Sequence, residues 1–220
     1  SGRVGVCSAT SGPGATNLLT GVATAYMDSS PVVAITGQVA KPFIGKDAFQ
    51  EIDTVGVYMP VVKYSMQPLS AREIPEAIKK AFFISSTGRQ GPVLVDVPKD
   101  VQVESDKMIF PESVSLKGYE PYYKPDPARV REAAKLILQS QRPIILVGGG
   151  AIKANAGPMA VELAETLMAP IASTLMGKGA VPENHFLCVG PIGMHGTFHA
   201  NKLITESDLV IGVGALFSDR

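Results

Sequence analysis

The stretch VGVCSATSGPGATNLLTGVATAYM, residues 4 to 27, passes from an apolar run through Gly12-Pro13-Gly14 into an apolar helical pattern. A second apolar run, PVVAIT at 31 to 36, follows directly. Short apolar runs on either side of a helical pattern predict a β-α-β unit, whose strands are parallel and joined in a right-handed sense. This unit decides the fold class, because the same alternation of strand and helix continues along the chain.

The rest of the first half repeats the pattern. An apolar stripe with helical spacing predicts a helix; it is made by Ile74, Ala77, Ile78, Ala81 and Phe82. The run GPVLVDVP at 91 to 98 then predicts a strand bounded by prolines. Residues 99 to 125 lose any clear period and carry several prolines, which is typical of an interdomain linker.

A new pattern starts at Asp126-Pro127, which predicts a helix N-cap and first turn. The helix that they open has an apolar stripe at Val130, Ala133, Ala134, Ile137 and Leu138. Strands are predicted at 143–147, 170–175 and 208–214, and helices around 160–167 and 198–206. The second half therefore also reads as α/β with parallel strands.

We predict an α/β fold with two parallel-sheet, three-layer α/β/α domains at residues 1–100 and 126–220, joined by a linker at 101–125. Both ends of the chain fall within a few residues of a predicted strand. We therefore expect a fragment of a longer protein, with both domains incomplete in this chain. Exposed sheet edges in such a fragment favour self-association or poor solubility.

Composition excludes several classes of function. Lys plus Arg and Asp plus Glu both number 20, so no charge excess would attract nucleic acid or an anionic membrane. No apolar run approaches the roughly 20 residues of a membrane span. Cys7 and Cys188 lack C-x-x-C spacing, and we expect two buried thiols in a reducing, cytoplasmic setting. His185, His195 and His199 lack metal-ligand spacing, so no metal site is expected.

Three loops are candidates for a ligand site. Glycines at 148–150 follow a predicted strand, as in nucleotide-binding turns, but they also suit an ordinary tight turn. Gly12-Pro13-Gly14 is stiff at its centre and bare on either side, so it could form a wall for a planar ligand or simply start a helix. Asp47 and Glu51 lie on a loop long enough to be functional, or they form a capping pair.

Five motifs in order resemble one known family. TSGPGATN (10–17), VVAITGQV (32–39), IGKDAFQE (44–51), GRQGPVLVDVPKD (88–100) and GMHGTFHAN (193–201) are similar to the catalytic subunits of the acetolactate synthase (acetohydroxyacid synthase) family. These enzymes use thiamine diphosphate in branched-chain amino-acid biosynthesis. The resemblance assigns residues 1–100 to the end of the pyrimidine-binding domain and 126–220 to the start of the central domain, which binds FAD in this family.

The resemblance also implies roles for particular residues. The cofactor thiamine diphosphate would lie against Gly12, Pro13, Gly14 and Asn17 at a subunit interface. Gln38, Phe49 and Gln50 would line the catalytic cavity, and Lys99 would stand near its mouth. FAD would contact a larger set: Arg89, Gly148, Gly149, Gly150, Thr174, Leu175, Met176, Met194, His195, Gly214 and Asp219.

The implied reaction is decarboxylation of pyruvate and condensation with a second 2-oxo acid. The implied assembly is a homodimer or homotetramer, with a regulatory small subunit as a further partner. In this family the activating glutamate and the Mg²⁺-diphosphate motif lie outside the matched segment, so we expect this chain to be inactive alone.

The sequence departs from the family at two places. Ala40 and Lys41-Pro42 replace a proline and two arginines, and Leu216 and Ser218 replace an arginine and an aspartate near the flavin. The departures leave room for a related thiamine-diphosphate enzyme, of the glyoxylate carboligase or pyruvate oxidase type. A non-catalytic nucleotide-binding or assembly module is a third possibility.

Overall fold

The computed structural model describes residues 2–121 and 124–217, and the chain divides into two compact units at 1–123 and 124–220. The first unit contains β1 (Gly5–Ala9), α1 (Pro13–Met27), β2 (Val32–Gln38), α2 (Thr54–Tyr58), β3 (Tyr64–Met66), α3 (Ile74–Ser86), β4 (Val93–Pro98) and α4 (Lys99–Val103). The second unit contains α5 (Pro127–Gln139), β5 (Pro143–Val147), α6 (Gly149–Lys153), α7 (Gly157–Leu167), β6 (Ile171–Ser173), β7 (Cys188–Pro191), α8 (Phe198–Glu206) and β8 (Leu209–Val213). Single 3₁₀ turns lie at Lys41–Phe43, Met59–Val61, Ala71–Glu73 and Leu175–Gly177.

The first sheet has the strand order β1-β2-β4-β3, and its pairs are parallel. Residues alternate between its two faces because side chains of a strand point to opposite sides. Val33 and Val95 pack with Ala81 of α3, whereas Ala34 and Leu94 pack with the cluster that contains residue 22 of α1. A helix therefore covers each face, and the predicted α/β class is confirmed.

The second sheet has the order β7-β6-β5-β8 and is also parallel. Ile145 and Ile171 pack on one face with Ala164 of α7. Ile144 packs on the other face with Ala200 of α8. Each of the two units therefore has three layers and its own core.

The N-cap prediction at Asp126 is confirmed, since its carboxylate accepts a hydrogen bond from the Ala128 backbone N–H at 2.9 Å. The apolar stripe of the helix that follows is exposed, because α5 contains no buried residue among the described ones. Leu138, for example, is 81% exposed. The pattern correctly predicts the helix here, but not a buried face.

Part of the segment predicted as linker packs on the first unit. Residues 101–103 belong to α4, and Leu116 and Tyr119 pack against the core of the first unit. The Lys63 ammonium donates hydrogen bonds to the Tyr119 hydroxyl, at 3.1 Å, and to the Thr87 carbonyl, at 2.7 Å. This ammonium therefore anchors the segment to the C-terminal end of α3.

Two expectations need correction. The strand predicted at 170–175 ends at Ser173, because the Thr174 hydroxyl accepts a bond from the Gly177 N–H and caps a 3₁₀ turn. Cys7 and Cys188 are both free but partly exposed, so the expectation of buried thiols is wrong. Partial burial still raises the pKa of the Cys7 thiol.

Candidate active site

The carboxyl ends of β1, β2 and β4 open onto a cavity of about 1110 Å³. It is lined by residues 8–11 after β1, by residues 35–40 around the end of β2 and by residues at 97–103, together with Phe43 and the loop residues 48–50. Ligands of open parallel sheets bind at this edge, because the strands end there and loops of free conformation begin. The cavity is therefore the candidate site of the first unit.

The structure brings Gln38, Phe49, Gln50 and Lys99 together on this cavity, as the resemblance implies. Phe49 is 88% exposed, and Gln50 and Lys99 are exposed as well, so their side chains are available to a ligand. Gln38 differs, since only 4% of it is exposed.

The Gln38 amide is held by the protein itself. Its Nε2 donates to the Ile52 carbonyl at 2.8 Å and lies 3.3 Å from the Thr54 hydroxyl and 3.2 Å from an Asp96 carboxylate oxygen. Its Oε1 accepts the Val39 backbone N–H at 2.9 Å. Gln38 Oε1 keeps a second lone pair free, so Gln38 is available to a ligand chiefly as a hydrogen-bond acceptor.

Asp96 is a functional candidate that the sequence analysis missed. It is fully buried in β4, and its carboxylate accepts hydrogen bonds from Thr36 Oγ1 at 2.5 Å and from Gln67 Nε2 at 2.8 Å, besides the contact with Gln38. Burial raises the pKa of Asp96, although these hydrogen bonds oppose the shift. An ionisable residue inside the apolar run VLVDVP was the signal that could have identified it.

The Gly12-Pro13-Gly14 turn abuts the loop that carries Gln50. Gly12 has φ of 55°, and a Cβ atom there would lie 2.6 Å from the Gln50 carbonyl oxygen. Pro13 starts α1, and the buried Tyr58 hydroxyl fixes this end of the helix by donating to the Ala15 carbonyl at 2.6 Å. Burial raises the pKa of Tyr58 to about 12.

The turn borders the cavity without lining it. Among the described residues that form the cavity wall, Ser11 is the last before the turn, and Asn17 is exposed further along α1. The predicted thiamine contacts at residues 12–14 and 17 are therefore not among the described residues that line the cavity, although Gly12 lies against the backbone of Gln50, which does line it.

The departure at Ala40 and Lys41 shapes one wall of the cavity. Ala40 and Asp100 both line it. The Lys41 backbone N–H donates to Asp100 Oδ1 at 3.1 Å, its ammonium lies 3.6 Å from Oδ2, and the ammonium also donates to the Leu69 carbonyl at 2.7 Å. Lys41 thereby ties the loop after β2 to α4 beside Lys99.

In the second unit, the glycines at 148–150 pack against the loop after β8. A Cβ atom on Gly148 would lie 2.3 Å from the Gly214 carbonyl oxygen, and one on Gly150 would lie 2.8 Å from the Gly214 Cα. A Cβ atom on Gly149 would approach the Met176 Cβ to 3.2 Å. Close approach of protein loops therefore accounts for these glycines without a ligand.

Apolar side chains collect at the carboxyl edge of the same sheet. Leu175, Met176 and Met194 are 75%, 50% and 76% exposed, and His195 is exposed beside them in sequence. Thr174 follows β6, and residues 194–195 follow β7, so all belong to the edge where Gly214 follows β8. Exposed apolar side chains at such an edge mark a candidate interaction site.

Arg89 and Asp219 are the remaining predicted FAD contacts. Arg89 belongs to the first unit, where its guanidinium Nε donates to the Ser29 hydroxyl at 2.8 Å. Leu216 is 57% exposed. Ser218 and Asp219 lie outside the described residues.

Within 2–121 and 124–217, no three His, Cys, Asp or Glu side chains converge as metal ligands would. In the same part of the chain no helix has the length and apolar character needed to cross a membrane.

Comparison with protein families defines the class. Residues 1–57 match the family described as thiamine pyrophosphate enzyme, N-terminal TPP binding domain, and residues 130–220 match thiamine pyrophosphate enzyme, central domain. The chain belongs to the thiamine pyrophosphate (thiamine diphosphate) enzymes.

Within that class it is homologous along its whole length to acetolactate synthase large subunits. It is 52% identical over 223 residues to a probable acetolactate synthase large subunit of Methanocaldococcus jannaschii, with 100% of this chain and 38% of the relative covered. It is 50% identical to the acetolactate synthases of Arthrospira platensis and Mycobacterium bovis, again over 100% of this chain and over 39% and 35% of theirs. The chain thus spans somewhat more than a third of these relatives.

Proposed function

We propose that this chain forms part of the catalytic subunit of an acetolactate synthase. The enzyme would decarboxylate pyruvate and join the remaining two-carbon unit to a second 2-oxo acid, which gives 2-acetolactate or 2-aceto-2-hydroxybutyrate for branched-chain amino-acid biosynthesis. The observation that carries the proposal is the cavity on which Gln38, Phe49, Gln50 and Lys99 converge beside the Gly12 turn.

The cavity fits thiamine diphosphate, which supplies carbanion chemistry when bound. Its volume of about 1110 Å³ lies just above the usual range of small-molecule pockets, which extends to about 1,000 Å³, so the cavity has room for a cofactor and a substrate. Ser8, Thr10 and Ser11 line it with hydroxyl-bearing residues after β1, and Phe43 and Val97 are apolar lining residues. Residues 12–14 and 17 would flank the aminopyrimidine, and the diphosphate with its Mg²⁺ would be held outside this chain.

The protein groups then have separate roles. The exposed Lys99 ammonium attracts the carboxylate of the 2-oxo acid by its charge. Phe49 lowers the polarity of the site, which favours the loss of carbon dioxide because charge separation falls in that step. Gln50 provides a hydrogen-bonding side chain at the cavity wall.

A chimaeric enzyme tests the proposal. This chain replaces the matching 219 residues of the Mycobacterium bovis acetolactate synthase, and acetolactate formation from pyruvate is measured. We expect activity, and we expect Gln50→Ala to lower kcat/KM by roughly 10²-fold through lost positioning. Gln90→Ala is the matched control, because Gln90 bonds to the Ser86 carbonyl on α3 and does not line the cavity.

A chimaera that folds, binds thiamine diphosphate and turns over glyoxylate in preference to pyruvate would favour the related carboligases. A chimaera that binds the cofactor without any turnover would favour a non-catalytic module.

We further infer that the second unit binds FAD as a structural cofactor. The inference is supported by the resemblance and by the exposed apolar surface of Leu175, Met176 and Met194. Binding is measured by flavin fluorescence quenching, and Leu175→Asp should weaken it because a charge would replace apolar contact. Equal affinity for FAD in the variant would contradict the inference.

We also infer an oligomeric enzyme, a homodimer or homotetramer, with a regulatory small subunit as partner. Support comes from the relatives that bear the name large subunit. A cytoplasmic setting agrees with the two free cysteines. Mass measurement with and without candidate small subunits tests the assembly.

A further inference from the structure

The loop that carries Phe49 and Gln50 folds around the carboxylate of Glu51. One carboxylate oxygen accepts the Gly45 backbone N–H, and the other accepts the N–H groups of Lys46 at 3.2 Å and Ala48 at 3.0 Å. The Glu51 N–H in turn donates to the Ala48 carbonyl at 2.9 Å. The Glu51 side chain therefore accepts hydrogen bonds from three backbone donors of the loop, and the Glu51 backbone adds a fourth bond to the same loop.

The conformation of this loop is costly for its residues. Asp47 and Gln50 have φ of 53° and 59°, in the left-handed region that side chains with a Cβ atom disfavour. Such residues persist where the surrounding structure over-determines them. Here the surroundings are the Glu51 carboxylate on one side and the bare Gly12, whose absent Cβ leaves room for the Gln50 carbonyl, on the other.

The electrostatics favour the same arrangement. The backbone N–H groups of Ala48 and Gly45 lower the pKa of Glu51, so the carboxylate stays ionised at neutral pH. An ionised carboxylate is a stronger acceptor than a neutral amide or acid, and it has no hydrogen to clash with the donors.

We propose that Glu51 is a positioning residue of the active site: its carboxylate holds loop 44–50 in the conformation that presents Phe49 and Gln50 to the cavity. The catalytic meaning of this role rests on the proposed function, whereas the role in loop order does not. The sequence suggested that Asp47 and Glu51 form a capping pair. In the structure the Glu51 carboxylate bonds to backbone N–H groups of its own loop, and Asp47 adopts a left-handed backbone conformation.

The experiment measures loop order in the absence of any ligand. Backbone amide hydrogen exchange at Gly45, Lys46 and Ala48 is compared between the unmodified chain and Glu51→Gln by NMR. We expect exchange at these three amides to become at least tenfold faster, because the amide side chain cannot accept from all three donors. Exchange in β2 and β4 and the melting temperature should stay unchanged, which a general loss of stability would not allow.

A fluorescent reporter gives a second measurement. The chain has no tryptophan, so Phe49→Trp introduces a single one on the loop. Because position 49 is already 88% exposed, the useful signal is mobility: the fluorescence anisotropy of this tryptophan should fall when Glu51→Gln is added. The control is Glu76→Gln, which removes an equal charge from a pair with Lys80 on α3 and should leave the anisotropy unchanged.

Unchanged exchange at the three amides in Glu51→Gln would overturn the inference, and so would equal effects of Glu51→Gln and Glu76→Gln on the reporter. Failure of the proposed function would be seen elsewhere, as an inactive chimaera, and would leave the amide exchange as predicted.

Discussion

The Asp96 carboxylate organises the polar interior beneath the cavity. It joins Thr36 and Gln38 of the neighbouring strand β2 and reaches Gln67 after β3. In the unfolded chain these groups bond to water. In the folded chain they are buried or partly buried, so their bonds to one another take the place of the bonds to water. Asp96 therefore sets the orientation of Gln38 in the cavity wall while remaining outside the wall itself.

Removal of this carboxylate should destabilise the first unit. Asp96→Ala leaves the donors of Thr36 and Gln67 without their acceptor, and we expect the free energy of unfolding in urea to fall by roughly 1–3 kcal/mol. Asp106→Ala is the control, since exposed Asp106 bonds to its neighbouring Lys107 N–H. Equal unfolding midpoints for the two variants would contradict this account.

The same residue should give the stability a particular pH dependence. Burial raises the pKa of Asp96 above its usual 3.8, so the folded state holds this proton at higher pH than the unfolded state does. The stability that Asp96 contributes is present below pH 3.8 and is lost as pH rises through the raised value. We therefore compare the free energy of unfolding in urea of the unmodified chain with that of Asp96→Asn from pH 4 to 7. The difference in favour of the unmodified chain should become smaller as the pH rises. A difference that does not change with pH would contradict this account.

Single residues also show where the sequence was informative. Gln38 ends β2, Lys99 follows β4, and Phe49 and Gln50 stand on one long loop, so family resemblance and topology together predict that they meet. The Glu51 bonds could not be predicted, because an i to i−3 or i−6 contact with backbone N–H groups depends on left-handed residues that no local pattern specifies.

Among the elements, loop-to-loop packing explains the glycines of the second unit. Gly148→Ala should lower the free energy of unfolding by roughly 1–3 kcal/mol, because the new methyl group overlaps the Gly214 carbonyl. Gly21→Ala in α1 is the control, since its Cβ would meet nothing within 4 Å and a helical alanine stabilises by about 0.5–1 kcal/mol. Similar effects of the two substitutions in thermal unfolding would contradict the packing account.

The start of β8 is tied to the turn after α5 by Asp208. The backbone N–H of Gln141, the Ser140 hydroxyl and the Arg142 N–H lower the pKa of Asp208 to about 2. The stability from this group is present above its usual pKa and is lost as pH falls through about 2. The melting temperature of Asp208→Asn should therefore be lower than that of the unmodified chain at pH 7, and the two melting temperatures should be equal near pH 2. A difference in melting temperature that persists at pH 2 would contradict this.

Long periodic elements were predictable and short ones were not. The helix predicted at 198–206 matches α8, and the stripe from Ile74 to Phe82 falls within α3. By contrast, β3 and α2 have three and five residues, too few to show a period, and tertiary pairing stabilises them. The exposed face of α5 shows the complementary limit, since a pattern predicts an amphipathic helix without saying what covers it.

The molecule as a whole exposes strand edges as well as helix faces. Among the described residues, β1 pairs with β2 alone and β8 pairs with β5 alone. Val6 on β1 is 57% exposed. Unpaired backbone N–H and C=O groups beside apolar side chains are templates for pairing with a second chain. Each unit has a core of its own, so self-association at these edges requires no loss of the fold.

We therefore expect the isolated chain to self-associate as its concentration rises, and we expect Val6→Lys to reduce that tendency because a charge on an edge strand opposes strand pairing. Light scattering across a concentration series measures both. Met108→Lys is the matched control, since Met108 is 75% exposed and lies outside any strand. If the edges are responsible, the Met108 variant associates as the unmodified chain does. Two results would contradict a role of the exposed edges in association: a monodisperse monomer at all concentrations, or an equal reduction of self-association by Val6→Lys and Met108→Lys.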